Sequence, residues 1–198
     1  MSVPEHLIQV VRRIRGAAIS EPPNPWRRIG VFAVGGLTDV GFGADTDLLL
    51  VVSSQGRGVF DCMNGEKVAR DYDVGDRPDT VALEADGIGP LAHQRIRTSG
   101  LLGGGLPRCT RDGWTAEDFV LDWPDHTLLL VLPGSWAYGD SFGKPADFAK
   151  VAVESELRAW GFSPTGKSLI LATSSDLSIW NRTTAAAREV AFGNHPDG

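Results

Sequence analysis

A chain of 198 residues with 42% hydrophobic and 22% charged side chains is long enough to bury one substantial core, and its composition excludes a mainly disordered or fibrous protein. The formal net charge of −6 removes any global electrostatic reason to seek nucleic acid or an anionic membrane, and it suits a basic protein partner. Twenty-four glycines and twelve prolines make turns frequent, which favours many short strands over a few long helices.

Residues 1–20 set Leu7, Val10, Val11 and Ile14 at helical spacing between Pro4 and Gly16, the pattern of one short amphipathic helix. Arg12, Arg13 and Arg15 interrupt any apolar stretch that could serve as a secretion signal, so a cytoplasmic location is expected. Residues 21–27 hold three prolines between Pro22 and Pro25 and read as an extended connector. From residue 28 to 198 a single all-β domain is expected. Strands are placed near Ile29–Val34, Asp39–Phe42, Leu48–Ser53, Gly58–Asp61, Lys67–Asp71 and Thr80–Glu84. They continue near Arg95–Thr98, Phe119–Asp122, Thr127–Leu132, Ala149–Val153, Leu157–Phe162, Ser168–Thr173, Leu177–Asn181 and Arg188–Phe192. The runs LLLVV at Leu48–Val52 and LLLVL at Leu128–Leu132 fall far short of the ~20 residues of a membrane helix. Their unbroken apolar character calls instead for strands buried on both faces. Cys62 and Cys109, 47 positions apart and without metal-type spacing, read as two reduced thiols.

Three of these segments are copies of one pattern. VGFGADTDLLLVVSSQGRGVFDC, from Val40, lies over WGFSPTGKSLILATSSDLSIWNR, from Trp160, without a gap at an offset of 120. Gly41, Phe42, Leu49 and Ser54 are identical in the two, and the apolar positions coincide. LDWPDHTLLLVLPGS, from Leu121, matches the second segment at an offset of 40, with Pro124 on Pro164. Both offsets share a unit of 40 and place a further, weak copy at VALEADGIGPLA, from Val81. A repeat of about 40 residues with several strands per unit is the spacing of propeller blades.

At GFSPTGKSLILATSSDLSIWN the sequence resembles the WD-repeat and related β-propeller families, whose blades commonly carry F-S-P-D-G-x-x-L-a-S-x-S-x-D-x-x-I-x-a-W-D. VGFGADTDLLLVVSSQGRGVFDCMNGEK is a looser version, and the likeness covers about a third of the chain. No copy carries the Gly-His pair or the Trp-Asp dipeptide, Trp180 being followed by Asn181. The resemblance implies a propeller-like array of short antiparallel strands.

Chemistry is harder to find than architecture. The glycines of GLLGGGLPRCTRDGW, Gly100–Trp114, could cradle an anion, but no Lys-Ser or Lys-Thr follows them, so a turn or a close backbone crossing is the expected use. His6, His93, His126 and His195 are scattered, and Ser53, Ser54, Ser174 and Ser175 lack a nucleophile elbow. No metal and no cofactor is expected. Loops that depart from the repeat are the places left for recognition. Two qualify: Arg108, Arg111, Asp112 and Trp114 in one, and Trp136, Tyr138 and Phe142 in WAYGDSFGKPADF, the other. The expected function is non-catalytic protein binding, with an inhibitor or immunity protein that neutralises a basic partner such as a toxin as the favoured form. A propeller-type hydrolase acting on a sugar or ester through loop carboxylates is the alternative. Self-association through the repeat also stays open.

Overall fold

The computed structural model describes residues 4–73 and 78–182. The strand expected near Arg188–Phe192, and His195, lie outside that range. Among the described residues, fourteen strands form four antiparallel sheets, with one α-helix. The helix, α1, spans Ile8–Gly16 and buries Val10 and Ile14, two of the apolar positions its period predicts.

In chain order, the strands from β1 to β5 are Arg27–Ala33, Leu37–Phe42, Leu48–Ser53, Gly56–Asp61 and Glu66–Asp71. Next come β6 Glu84–Asp86, β7 Arg95–Arg97, β8 Ser99–Gly100, β9 Thr115–Asp122 and β10 Asp125–Val131. The last four, β11 to β14, are Phe148–Glu154, Leu157–Phe162, Ser168–Thr173 and Asp176–Asn181. The sheets run β5-β4-β3-β2-β8, β1-β14-β13-β12, β11-β10-β9 and the small pair β6-β7.

The larger sheets stack, and the stacking explains the continuous apolar runs. In β3, Leu49 and Val51 enter a cluster shared with Ile170 and Ala172 of β13, while Leu50 and Val52 face a second one with Ala85, Leu91 and Ile96. The other face of β13, Leu169 and Leu171, meets Leu128 and Leu130 of β10 around Trp26, Trp114, Trp160 and Trp180. Leu129 and Val131 then turn to Val10 and Ile14 of α1. The apolar runs Leu48–Val52, Leu128–Val131 and Leu169–Ala172 within these strands are therefore unbroken because both faces are covered. The β6–β7 region caps one end of the stack and α1 caps the other.

The repeat has a structural counterpart. β2, β3 and β4 lie 120 positions before β12, β13 and β14, with matching boundaries at both ends. β5 forms the outer strand beside β4, and the corresponding place beside β14 is filled by β1, from the other end of the chain. Gly41 and Gly161 hold the same position in β2 and β12. A Cβ on Gly41 would collide with the Arg97 carbonyl, and one on Gly161 would meet the Pro107 carbonyl oxygen at 2.9 Å. Glycine is needed at both because another stretch of backbone crosses the strand there.

The segment Thr80–Glu84, expected as a strand, is mostly a turn. The Asp79 carboxylate accepts from the N–H groups of Val81 and Ala82 at 2.8 and 2.9 Å, and Leu83 takes a positive φ of 54° before β6 begins. Aspartate bonding its own downstream backbone is a competitor of strand pairing. The connector is held by contacts as well as by its prolines. Ser20 N donates to Lys150 O on the edge of β11, Glu21 accepts the Trp180 indole N–H at 2.8 Å, and Trp26 enters the core. Among the described residues, no helix is long and apolar enough to cross a membrane.

Candidate recognition surface

The two candidate loops have different fates. In the first, Trp114 is a core residue, its indole packed edge-on against Trp26 at 5.9 Å between ring centroids. It offers no anchor to a partner, because the hydrophobic return on burying that ring is already taken within the fold. Asp112 receives two hydrogen bonds from the buried guanidinium of Arg182, at 2.5 and 2.6 Å, and these hold its carboxyl down at about 2. Arg182 also stacks over Trp26 at 4.8 Å and donates to Gly166 O, so Asp112 ties its loop to the end of β14. Arg108 donates to Trp160 O at 3.0 Å and pairs with Asp118. Only Arg111 of the four is exposed and without an ion pair among the described residues. The loop is a strut between two sheets. Gly104 serves the same end: a Cβ there would collide with the Thr98 carbonyl, so the chain crosses itself at that point.

The second loop gathers its aromatic residues. Trp136 and Phe142 stack with centroids 5.0 Å apart, Trp136 and Tyr138 lie 5.4 Å apart, and Tyr138 meets Phe119 of β9 at 5.6 Å. The row grades from inside to outside. Tyr138 packs against the α1 cluster, its phenol pushed above the usual value by burial and then by the nearby Glu117 carboxylate, whereas Trp136 is 45% and Phe142 61% exposed.

The loop is held rigidly enough to present those two rings. Trp136 N donates to Pro145 O at 3.0 Å, Lys144 N to Gly139 O at 2.9 Å, and a single 3-10 turn covers Gly139–Phe142. Ala137 is buried beside Val10 and Ile14, and Arg13 of α1 makes an ion pair with Asp140. Arg13 also lies over the Phe148 ring at 5.0 Å, so helix and loop share one arginine as a clasp. The clasp was not legible in the sequence, because its partners are 127 positions apart.

Trp114 and Tyr138 pack on opposite faces of the three-stranded sheet, so the two loops do not form one surface. Trp123, at the turn between β9 and β10, is 87% exposed. Among the described residues, no three His, Cys, Asp or Glu side chains gather closely enough to hold a metal ion. In comparisons with known proteins, the chain matches no family profile and no curated protein.

Proposed function

We propose that this chain is a non-catalytic protein-binding module on a reduced, propeller-like scaffold, and that it docks its partner on the rings of Trp136 and Phe142. The observation that carries the reading is the exposed Trp136–Phe142 stack on a loop pinned to α1. Large apolar rings in water gain free energy when covered, and a loop already held in place loses little conformational entropy on binding. Aromatic anchors of this kind dominate protein interfaces, each contributing about 2 kcal/mol or more when truncated at a hot spot.

The scaffold part of the proposal is supported by the matched boundaries of β2–β4 and β12–β14, and by the N-terminal β1 completing the last sheet. Among the described residues α1 packs on one end of the stack and the β6–β7 region on the other, which favours a different protein over a second copy as the partner. The net charge of −6 fits a basic one, and an inhibitor or immunity protein that covers a toxin is the form that size and acidity favour.

The test is kinetic. With the partner recovered from native extract, Trp136→Ala and Phe142→Ala should each speed dissociation by about tenfold or more, the equivalent of at least 1.4 kcal/mol. Raising salt should slow association far more than it changes dissociation. Unchanged dissociation in both variants would remove the patch from the interface.

A further inference from the structure

At the other end of the stack from the aromatic patch, a pocket of about 260 Å³ opens between β2–β4 and the segments 78–83 and 98–102. Its walls include Asp39, Thr98, Val52, Leu83, Leu101 and Leu102. Asp39 sits in the middle of β2, opposite Val52 on one side and Gly100 on the other, and the residue is only 8% exposed. Among the described residues, nothing donates a hydrogen bond to its carboxylate and nothing pairs with it. Its oxygens open into the pocket, so with no donor from the protein the carboxylate is left to be answered by what enters there.

The fold does not need it. In the equivalent strand 120 positions later, the same place is held by Ala159, buried in the core. The pocket's other polar groups are largely occupied. Ser53 donates to Gly56 O and accepts from Gln55 N, Asp79 accepts two backbone N–H groups, and Arg57 is paired with Asp71 at 2.7 Å. Thr98 differs: it is 4% exposed, and its buried hydroxyl also has no partner among the described residues. Asp39 and Asp79 set two carboxylates on the walls beside the guanidinium of Arg57, which Asp71 already pairs, so the charge of Asp39 has no counterion among the described residues. A neutral hydrogen-bond donor would satisfy the lone pairs of Asp39 and leave that charge uncompensated, whereas a cation answers both.

We propose that this pocket binds a primary ammonium or guanidinium group carried on a short apolar chain. The nitrogen donates to Asp39, and the carbon chain lies against Leu83, Leu101 and Leu102 at the mouth. The same chemistry is offered by a free alkylamine and by a lysine or arginine side chain of a bound protein. The inference does not depend on the Trp136–Phe142 surface, and its test uses neither residue.

The experiment is a titration of the full chain followed by amide proton–nitrogen correlation spectra, with n-butylammonium, n-butylguanidinium, uncharged n-butanol and a blocked Ala-Arg-Ala peptide as probes. Saturable shifts centred on Asp39, Thr98 and Leu101 are expected from the charged probes, with n-butanol at least about tenfold weaker. Asp39→Asn should bind the charged probes at least about tenfold more weakly, yet unfold at a urea concentration no lower than the parent, since no described group is bonded to the carboxylate. Binding of the amines alone would assign a small-molecule ligand, and binding of the peptide would assign a partner's basic side chain; either supports the proposal. No saturable shift from any charged probe, equal binding of n-butanol, or equal binding by Asp39→Asn would overturn it. So would a sharp fall in the urea midpoint of that variant, which would make the carboxylate structural.

Discussion

Phe162→Ala is the sharpest test of the stacked core. Phe162 is fully buried, lies 5.5 Å from Trp26 between ring centroids, and belongs to the cluster that joins the four-stranded sheet to the three-stranded one. Removing a buried phenylalanine ring costs about 3–5 kcal/mol through lost transfer free energy and the cavity left behind. Whole-domain stabilities are about 5–15 kcal/mol, so one ring would account for a large share. For an unfolding slope of about 2 kcal/mol per molar urea, the midpoint should fall by roughly 1.5–2.5 M. Tryptophan fluorescence is the fitting readout, because Trp26, Trp114, Trp160 and Trp180 all share the cluster that Phe162 would disturb. Phe142→Ala is the matched control: the same atoms are deleted from a ring that is 61% exposed, and the cost should stay near or below about 0.5 kcal/mol. A loss below about 1 kcal/mol for Phe162→Ala, or equal losses for the two, would contradict the burial of Phe162 between the sheets.

Asp112→Asn leaves the buried Arg182 without its carboxylate and should cost about 1–3 kcal/mol at neutral pH, less than a fully buried pair because Asp112 is half exposed. Its folded carboxyl titrates at about 2, below the unfolded value of about 3.9, so its contribution is present above the unfolded value and lost as pH falls through the folded one. The variant and the parent should therefore converge in urea titrations near pH 2, and a gap unchanged from pH 7 would contradict the ion pair. Gly41→Val should destabilise by at least about 2 kcal/mol in the same assay, because the Arg97 carbonyl occupies the space its side chain needs; full stability would remove that crossing. Cys109 is exposed and should react with a thiol reagent in the native state, while Cys62, buried and with its thiol pushed up by that burial, should react only on unfolding. Reaction of both at one rate would contradict the packing of β4 against β13.

The elements most legible in the sequence were those with the simplest burial. β3, β10 and β13 announce themselves as apolar runs because both faces are covered, and the 120-position offset of Gly41 and Phe42 from Gly161 and Phe162 foretold matched strands. β8 was missed because Ser99–Gly100 is too short to show a period and pairs through backbone alone. Thr80–Glu84 was misread because its apolar residues looked like a strand, while a single aspartate at the preceding position decided the turn. Trp114 shows the limit for sites. A tryptophan in a glycine-rich, charged loop has the composition of a contact surface, and only the position of Trp26, 88 places earlier, shows that its ring is already covered. Asp39 shows the converse. It could have been noticed as a charged residue set against an alanine, Ala159, one position before the matched segments, but its isolation becomes visible only when β8 is in place.

The proposed docking of a partner protein on Trp136 and Phe142 can be captured covalently. Site-specific photo-cross-linking tests it most directly. Phe142, replaced by p-benzoylphenylalanine, should yield one discrete covalent adduct in native extract, and the same amino acid at Val68, an exposed position on β5 of the five-stranded sheet, should yield none. The adduct should disappear when Trp136→Ala is combined with the probe. An absence of adduct at Phe142, or the same adduct from both positions, would contradict the assignment.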